Sequence, residues 1–293
     1  MSDISDATAS EEYSRPSPVG VFDSGLGGLS VAWEIHRLMP ANHIVYVGDT
    51  AHVPYGPRSA EEVREFSMGI SSFLIERAKC RVIVVACNTA VSAGIVALRE
   101  RFAIPIVAIE PGIKPAVAQT RTGKVGVLAT VGTAGGERLH SLINRYGGSV
   151  EVLTQPCPGL VECVEQGDLA SDKTRRLVEK YVLPLKERGV DTLVLGCTHY
   201  PFLRPLIAEV AGNEIALVDT GEAVARQAAR VAPPLPNSVT GNRSGIIECQ
   251  VTGELQASEA GFKACFAFFG DLKPPLLSRL RWRGKELYDN GAN

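Results

Sequence analysis

Short apolar runs rich in Val and Ile alternate along the chain with longer segments of helical period. This alternation is typical of parallel β-sheets covered by helices. The apolar runs predict strands at Val19–Phe22, Ile44–Val47, Val82–Ala86, Ile106–Ile109, Val125–Ala129, Val150–Leu153, Thr192–Leu195 and Ile215–Val218. The longer segments predict helices at Glu61–Ala78, Val91–Arg101, Arg175–Arg188 and Phe202–Val210. The pattern therefore predicts an α/β protein with mostly parallel sheets flanked by helices.

The pattern changes near the end of the chain. After Val231 the sequence becomes Pro-Pro-Leu-Pro-Asn-Ser, which is typical of a linker. One more strand is predicted at Ile246–Val251, followed by a helix around Ala257–Phe269. Periodicity does not assign this last strand a position in a sheet.

A weak internal repeat divides the chain into two halves. Asp23, at the end of a predicted strand, precedes Cys87 by 64 residues, and Thr130 precedes Cys197 by 67 residues. Each half thus has a first strand with a polar loop and a later strand closed by Cys and Thr. Ligands bind beyond the carboxyl ends of parallel strands, so both cysteines are predicted on functional edges. Two such edges facing each other would form one cleft.

Length and composition narrow the class of protein. A chain of 293 residues is long enough for two domains of ordinary size. Its first 17 residues are rich in Ser, Asp and Glu, which predicts a disordered tail and not a secretory signal. A formal charge of −2 without a basic stripe argues against a required nucleic acid, and no apolar run is long enough to span a membrane. We therefore expect a soluble protein of the cytoplasm.

Seven cysteines without paired C-x-x-C spacing argue against a zinc site and, in a reducing compartment, against disulfides. Cys87 and Cys197 each end an apolar run and stand just before a polar turn and a predicted helix. A helix N-terminus favours thiolate, so we expect the pKa of both thiols to fall from about 8.5 toward neutrality. Thr198 is the expected N-cap of the second helix, with Pro201 in an early position. Either cysteine alone is typical of a buried strand end, but the matched pair favours catalysis.

Three other segments carry candidate chemistry. The Gly-rich turn after Asp23 resembles a dinucleotide loop, but its spacing is not G-x-G-x-x-G and an acidic residue precedes it, so an ammonium group fits Asp23 better. Pro54-Tyr55-Gly56 is either a simple turn or a loop whose amides hold a carboxylate. Glu162 and Glu165 are spaced as on an ordinary solvated helix face.

Taken together, four motifs resemble those of glutamate racemase, in the cofactor-independent aspartate/glutamate racemase superfamily. They are Asp23-Ser24-Gly25, Pro54-Tyr55-Gly56, Ala86-Cys87-Asn88-Thr89-Ala90 and Gly196-Cys197-Thr198-His199-Tyr200-Pro201. The resemblance runs from about Pro18 to Phe269. It implies two pseudo-symmetric α/β domains with the active site in the cleft between them. The implied ranges are 18–112 plus 223–293 for the first domain and 113–222 for the second, after the tail of residues 1–17.

The resemblance also implies an activity and a set of site residues. The activity is interconversion of L- and D-glutamate, which supplies D-glutamate for peptidoglycan, with no cofactor and no metal. Cys87 and Cys197 would be the acid/base thiols, with Asp23 assisting the first and His199 and Glu165 assisting the second. The implied substrate-binding residues are Asp23, Ser24, Tyr55, Gly56, Asn88, Thr89, Thr130, Thr133, Thr198 and His199. The segment Ala134–Glu137 departs from the family pattern, and a homodimer is an open alternative for the assembly.

Elementary chemistry supports a two-base scheme, because inverting an α-carbon needs a base on one face and an acid on the other. Four alternatives stay open at this point. The first is an aspartate-specific relative, although His199-Tyr200-Pro201 argues against it. The second is a zinc hydrolase using Cys197, His199 and a carboxylate, and the third is a non-catalytic amino-acid sensor. The fourth is a pyridoxal enzyme, for which only Lys114 adjoins a motif.

Overall fold

The structure, a computed structural model, describes residues 17–234, 245–270 and 274–289. The predicted disordered tail lies outside this part of the chain except for Ser17. Among the described residues, no helix combines the length and the apolar character needed to cross a membrane.

Eleven strands are found in the described residues. They are β1 Val19–Asp23, β2 Ile44–Gly48, β3 Val82–Val85, β4 Ile106–Ala108, β5 Lys124–Ala129, β6 Glu151–Pro156, β7 Thr192–Leu195, β8 Ala216–Val218, β9 Ile247–Val251, β10 Leu277–Arg283 and β11 Glu286–Asp289. The helices are α1 Leu29–Leu38, α2 Ala60–Glu76, α3 Asn88–Arg101, α4 Ile113–Gln119, α5 Val131–Ala134, α6 Glu137–Tyr146, α7 Leu160–Glu165, α8 Asp172–Glu187, α9 Arg204–Ala211, α10 Gly221–Val231 and α11 Leu255–Ala267, with a 3₁₀ turn at Tyr200–Leu203 before α9.

The strands form two sheets with a repeated core. One sheet has the order β11-β10-β9-β2-β1-β3-β4 and the other has the order β6-β5-β7-β8. The segments β2-β1-β3-β4 and β6-β5-β7-β8 follow the same order, with the first strand of each half beside the third. All pairings are parallel except that of β10 with β11. The predicted α/β class and the pseudo-symmetry are therefore confirmed.

Burial explains which strands the sequence predicts well. The central strands β1, β2, β3 and β7 are buried along their whole length and read as continuous apolar runs. The strand predicted at 246–251 is β9, and it extends the first sheet next to β2. The predicted domain ranges stay a prediction, although the strands before residue 112 and after residue 223 share one sheet.

Candidate active site

One small cavity brings together the ends of both sheets. It is lined by Ser24, Pro54, Tyr55, Gly56, Cys87, Asn88, Thr89, Thr130, Thr133, Val161, Gly196, Cys197, Thr198 and His199. Its volume is about 10 Å³, which leaves room for about one water molecule. Cys87 follows β3 and Cys197 follows β7, so each thiol stands at the end of the third strand of its own repeated core. The two cysteines thus reach a single site from different sheets.

The structure places the predicted residues in two groups. Eleven of them line the cavity, whereas Asp23 and Glu165 lie directly behind its wall and reach it through hydrogen bonds to Thr198 and His199. Three lining residues were outside the predicted set, namely Pro54, Val161 and Gly196. Pro54 and Gly196 belong to the quoted motifs, but Val161 is an ordinary apolar position of α7 and carries no signal in the sequence.

The Cys87 thiol lies at the N-cap of α3 and is buried. Its sulfur accepts a hydrogen bond from the Ala90 backbone N–H at 3.5 Å. The expectation that its pKa falls toward neutrality is wrong. Burial raises the pKa of Cys87 well above its ordinary value, the nearby Asp23 carboxylate raises it further, and the hydrogen bond from Ala90 only partly opposes this. The favourable helix end is outweighed by removal of the sulfur from water.

Cys197 belongs to a hydrogen-bonded chain with His199 and Glu165. Nδ1 of His199 lies 3.6 Å from Cys197 Sγ, and Nε2 lies 2.6 Å from Glu165 Oε1. Burial acts to lower the pKa of His199, but the hydrogen bonds to Cys197 and Glu165 outweigh it and raise that pKa well above 6.5. These contacts therefore favour the protonated form of the imidazole beside this thiol.

Two expectations for this region are wrong. Thr198 does not cap the following helix, because the 3₁₀ turn at Tyr200–Leu203 begins after His199 and the Thr198 hydroxyl instead donates to Asp23 Oδ1 at 3.2 Å. The spacing of Glu162 and Glu165 predicted a solvated face for both, but only Glu162 is exposed. Glu165 turns inward and also accepts from the Leu26 backbone N–H at 2.6 Å.

The Gly-rich turn between β1 and α1 serves close packing between the halves of the molecule. A Cβ at Gly25 would overlap the Glu165 carboxylate, and a Cβ at Gly27 would overlap the His199 ring. Asp23 is fully buried and accepts from the Gly28 backbone N–H at 3.0 Å. The glycines therefore leave room for side chains from the half that contains the second sheet. This packing explains the glycines without a bound dinucleotide.

Hydroxyl groups from both halves of the molecule meet in the cavity wall. Thr89 Oγ1 lies 3.0 Å from Thr130 Oγ1 and 3.3 Å from Thr133 Oγ1. Thr130 also caps α5 by accepting from the Thr133 N–H. The segment Ala134–Glu137, which departs from the family pattern, does not line the cavity.

Asn88 provides a polar group that the protein itself leaves unsatisfied. Its Oδ1 is buried and makes no hydrogen bond within the described part of the chain. Buried polar atoms are nearly always hydrogen-bonded, so this acceptor is suited to a polar ligand.

A larger cavity, of about 320 Å³, also touches Cys197 and Thr198 but contains none of the lining residues from Tyr55 to Thr133. Two of its carboxylates, Glu34 and Asp219, are already paired with Arg37 and Arg204. The smaller cavity is the better candidate, because it alone of the two contains both thiols. In the described ranges, no cluster of three or more His, Cys, Asp and Glu side chains is arranged to hold a metal ion.

A family model described as Asp/Glu/Hydantoin racemase matches residues 27–228. This range contains α1 and both cysteines. Fold, site and match together define an amino-acid racemase, which is an isomerase.

Individual relatives are more specific. The chain is 55% identical over 216 residues to a glutamate racemase of Pseudomonas paraeruginosa, covering 73% of this chain and 81% of the relative. It is 52% identical over 242 residues to that of Herpetosiphon aurantiacus, covering 82% and 94%. The Escherichia coli glutamate racemase, solved in complex with L-glutamate and the activator UDP-MurNAc-ala, has a TM-score of 0.79 at 32% identity and covers 92% of this chain and 100% of that one. The chain belongs to the glutamate racemase family.

Proposed function

We propose that the chain inverts glutamate by a two-base mechanism, with Cys197 and Cys87 acting on opposite faces of the α-carbon. The observation that carries the proposal is the pair of thiols that line one cavity from two different sheets. Proton removal from one face and delivery to the other needs two groups that exchange roles during turnover. A pair of cysteines at matching positions of a repeated core meets this need.

In the proposed reaction from L to D, the Cys197 thiolate takes the α-proton and becomes a thiol. The Cys87 thiol donates its proton to the other face and becomes a thiolate, and the reverse reaction exchanges these roles. The neighbours of the sulfurs support this assignment. The His199 imidazole held by Glu165 lies beside Cys197, whereas burial and then Asp23 raise the pKa of Cys87 and favour its thiol.

The remaining residues are proposed to bind glutamate and to stabilise the charge that develops on it. The side chains of Asn88 and Thr89 and the backbone N–H of Thr198 would donate to the α-carboxylate in a site that excludes water. The amides of Tyr55 and Gly56 would hold the second carboxylate, with Ser24, Thr130 and Thr133 completing the wall. Asp23 would act from behind the wall, where it orients Thr198 and keeps the substrate ammonium protonated.

The proposal extends to the role of the enzyme. We propose that it works without a cofactor in the cytoplasm and supplies D-glutamate for peptidoglycan and hence for cell shape. The E. coli relative was solved with L-glutamate, which supports the same substrate here. Assembly as a homodimer stays a prediction.

Racemisation in deuterium oxide tests the two-base scheme. Starting from L-glutamate, we expect D-glutamate to carry solvent deuterium at the α-carbon from the first turnovers, because Cys87 delivers a solvent-derived deuteron. Early in the reaction the remaining L-glutamate should keep its α-proton. Mass spectrometry of the separated enantiomers measures both.

Two other outcomes would exclude the scheme. Transfer of the original α-proton into D-glutamate would indicate a single base. A sensor would form no D-glutamate and would introduce no deuterium into L-glutamate. Faster inversion of aspartate than of glutamate would contradict the assigned substrate.

A further inference from the structure

Asp49, the first residue after β2, lies at the centre of a hydrogen-bond cluster that the motifs did not predict. Its side chain is fully buried. Four side chains direct donors at its carboxylate: Thr252 Oγ1 at 2.6 Å, Tyr55 Oη at 2.6 Å, Trp282 Nε1 at 2.9 Å, and His52 Nδ1 at 2.9 and 3.1 Å from the two oxygens. A buried carboxylate with this many donors fixes the orientation of the groups around it.

Two of these donors belong to the loop that forms part of the cavity wall. Tyr55 lies in the wall itself, and His52 precedes Pro54 by two residues. Burial and then Asp49 raise the pKa of Tyr55 well above its ordinary value, so its phenol stays a donor. The His52 ring stacks on Phe66 at 3.9 Å between centroids, and this contact also holds the loop in place.

The other two donors come from the C-terminal part of the chain. Thr252 directly follows β9, and Trp282 lies in β10. Thr252 Oγ1 also accepts from the Ala51 backbone N–H at 3.0 Å. The cluster therefore ties the wall loop to two strands more than 200 residues away in sequence.

We propose that Asp49 is a positioning residue for substrate binding, and that Thr252 and Trp282 hold its carboxylate so that Tyr55 and Gly56 present their amides to a carboxylate of glutamate. This inference rests on the proposed function in assigning that loop to a substrate carboxylate. Asp49 is not a catalytic residue, because it does not line the cavity. Its effect should appear in substrate binding and much less in the chemical step.

An isosteric pair of substitutions at Thr252 isolates the hydroxyl. Thr252→Val removes the donor and keeps the shape, whereas Thr252→Ser keeps the donor. We expect Thr252→Val to raise the KM for glutamate by about tenfold and to change kcat by less than about threefold, because a uniform binding interaction is lost. Thr252→Ser should remain close to the parent enzyme in both constants.

The two tryptophans of the chain provide a second, independent comparison. Trp282→Phe removes the Nε1 donor to Asp49, and we expect the same increase in KM. Trp33→Phe is the matched control, because Trp33 stacks on Phe269 at 5.1 Å between ring centroids and is not among the described donors to Asp49. It should leave KM unchanged.

The inference is overturned if Thr252→Val and Trp282→Phe lower the unfolding midpoint without raising KM, since that describes a purely structural cluster. An increase in KM in Thr252→Ser as large as that in Thr252→Val would also overturn it, as would an increase in Trp33→Phe as large as that in Trp282→Phe. Failure of the two-base scheme is distinguishable from failure of this inference. It would appear as turnover in Cys87→Ser or Cys197→Ser variants, while KM of the two Thr252 variants can still be measured.

Discussion

At the scale of single residues, the two thiols differ in the charge of their neighbours. Cys87 lies near the buried Asp23 carboxylate, and Cys197 lies beside His199, whose hydrogen bonds to Cys197 and Glu165 raise its pKa against the effect of burial. The repeated core thus places two chemically equal groups in opposite environments. Under the proposed mechanism, this difference decides which sulfur removes the proton from each enantiomer.

Replacing either cysteine by serine should lower kcat by about 10³-fold or more, since a general base or acid is lost. Folding should change little at Cys87, because a serine oxygen is a good N-cap and the sulfur already accepts the Ala90 N–H. Turnover from both enantiomers and urea unfolding measure the two effects.

The control is Cys80→Ser, which makes the same change at a buried thiol outside the cavity. Its sulfur faces the Ala78 carbonyl oxygen at 4.0 Å, so the serine hydroxyl is directed toward a backbone acceptor. Activity near that of the parent is expected there. Such activity in Cys87→Ser or Cys197→Ser would refute the two-base scheme.

The His199–Glu165 pair predicts a pH dependence of stability. The folded state holds the pKa of His199 above 6.5, so the extra stability is fully present below about pH 6.5 and is lost as pH rises through the folded pKa. Glu165→Gln should therefore lower the free energy of unfolding by about 2 kcal/mol at pH 6 and by less at higher pH. Urea unfolding over a pH series checks this.

Glu162→Gln serves as the matched control, because Glu162 lies on the same helix and is exposed. It should change stability by less than about 0.5 kcal/mol at every pH. A loss in Glu165→Gln that grows with pH would contradict the assigned pKa direction.

At the scale of elements, the turn between β1 and α1 shows how glycine supports a site without touching substrate. His199 occupies the space beside Gly27, where a side chain would begin. Gly27 is not in the left-handed backbone region, so space alone requires glycine there. This requirement makes a clean substitution experiment possible.

Gly27→Ala should displace the His199 ring and reduce kcat/KM by at least about 100-fold, because the imidazole no longer sits against Cys197. The contrasting variant is Gly94→Ala in α3, where the nearest atom to a new Cβ is 3.5 Å away. That substitution should stabilise the helix by about 0.5 to 1 kcal/mol and preserve activity. Steady-state kinetics and thermal unfolding compare the two, and full activity in Gly27→Ala would disprove the steric argument.

The same scale shows what sequence patterns can predict. The central strands are continuous apolar runs because both their faces are buried, and all eight strands predicted before residue 220 are present within a few residues of their predicted ends. The hairpin of β10 and β11 was missed, since β10 reads Leu-Ser-Arg-Leu-Arg-Trp-Arg with only Leu280 fully buried. A largely exposed hairpin at the end of a sheet, with β11 as its edge strand, carries no continuous apolar signal.

The sequence motifs predicted most of the residues that line the cavity. The pKa directions and hydrogen-bond partners of these residues could be read only from the structure. The pKa direction of Cys87 depends on burial depth and on Asp23, neither of which follows from a helix start. Glu165 contacts His199, which lies 34 residues away in sequence, so helix spacing alone wrongly predicted a solvent-exposed carboxylate. The donors around Asp49 are farther still from the wall loop in sequence.

At the scale of the whole molecule, the cavity between the two sheets is too small for the proposed substrate. With a volume of about 10 Å³, it cannot admit an amino acid of ten heavy atoms unless its walls separate. The walls come from both sheets, so we expect the halves of the molecule to move apart before glutamate enters. Opening then precedes binding.

Stopped-flow binding to the Cys87→Ser variant tests this order without turnover. The observed rate constant, followed by tryptophan fluorescence, should level off at high glutamate concentration at the rate of opening. A linear increase over the whole range would show that the open form predominates in solution.

The closed volume also bears on what happens between turnovers. Under the proposed mechanism, release of D-glutamate leaves Cys197 as a thiol and Cys87 as a thiolate. In this state the enzyme can act only on the enantiomer that it has just released. Because the cavity has room for about one water molecule, protons have little solvent through which to move between the two sulfurs until the walls separate. The enzyme would therefore keep, for a short time, the protonation state left by its last substrate. At high substrate concentrations, the return of the original protonation state during opening would limit net conversion.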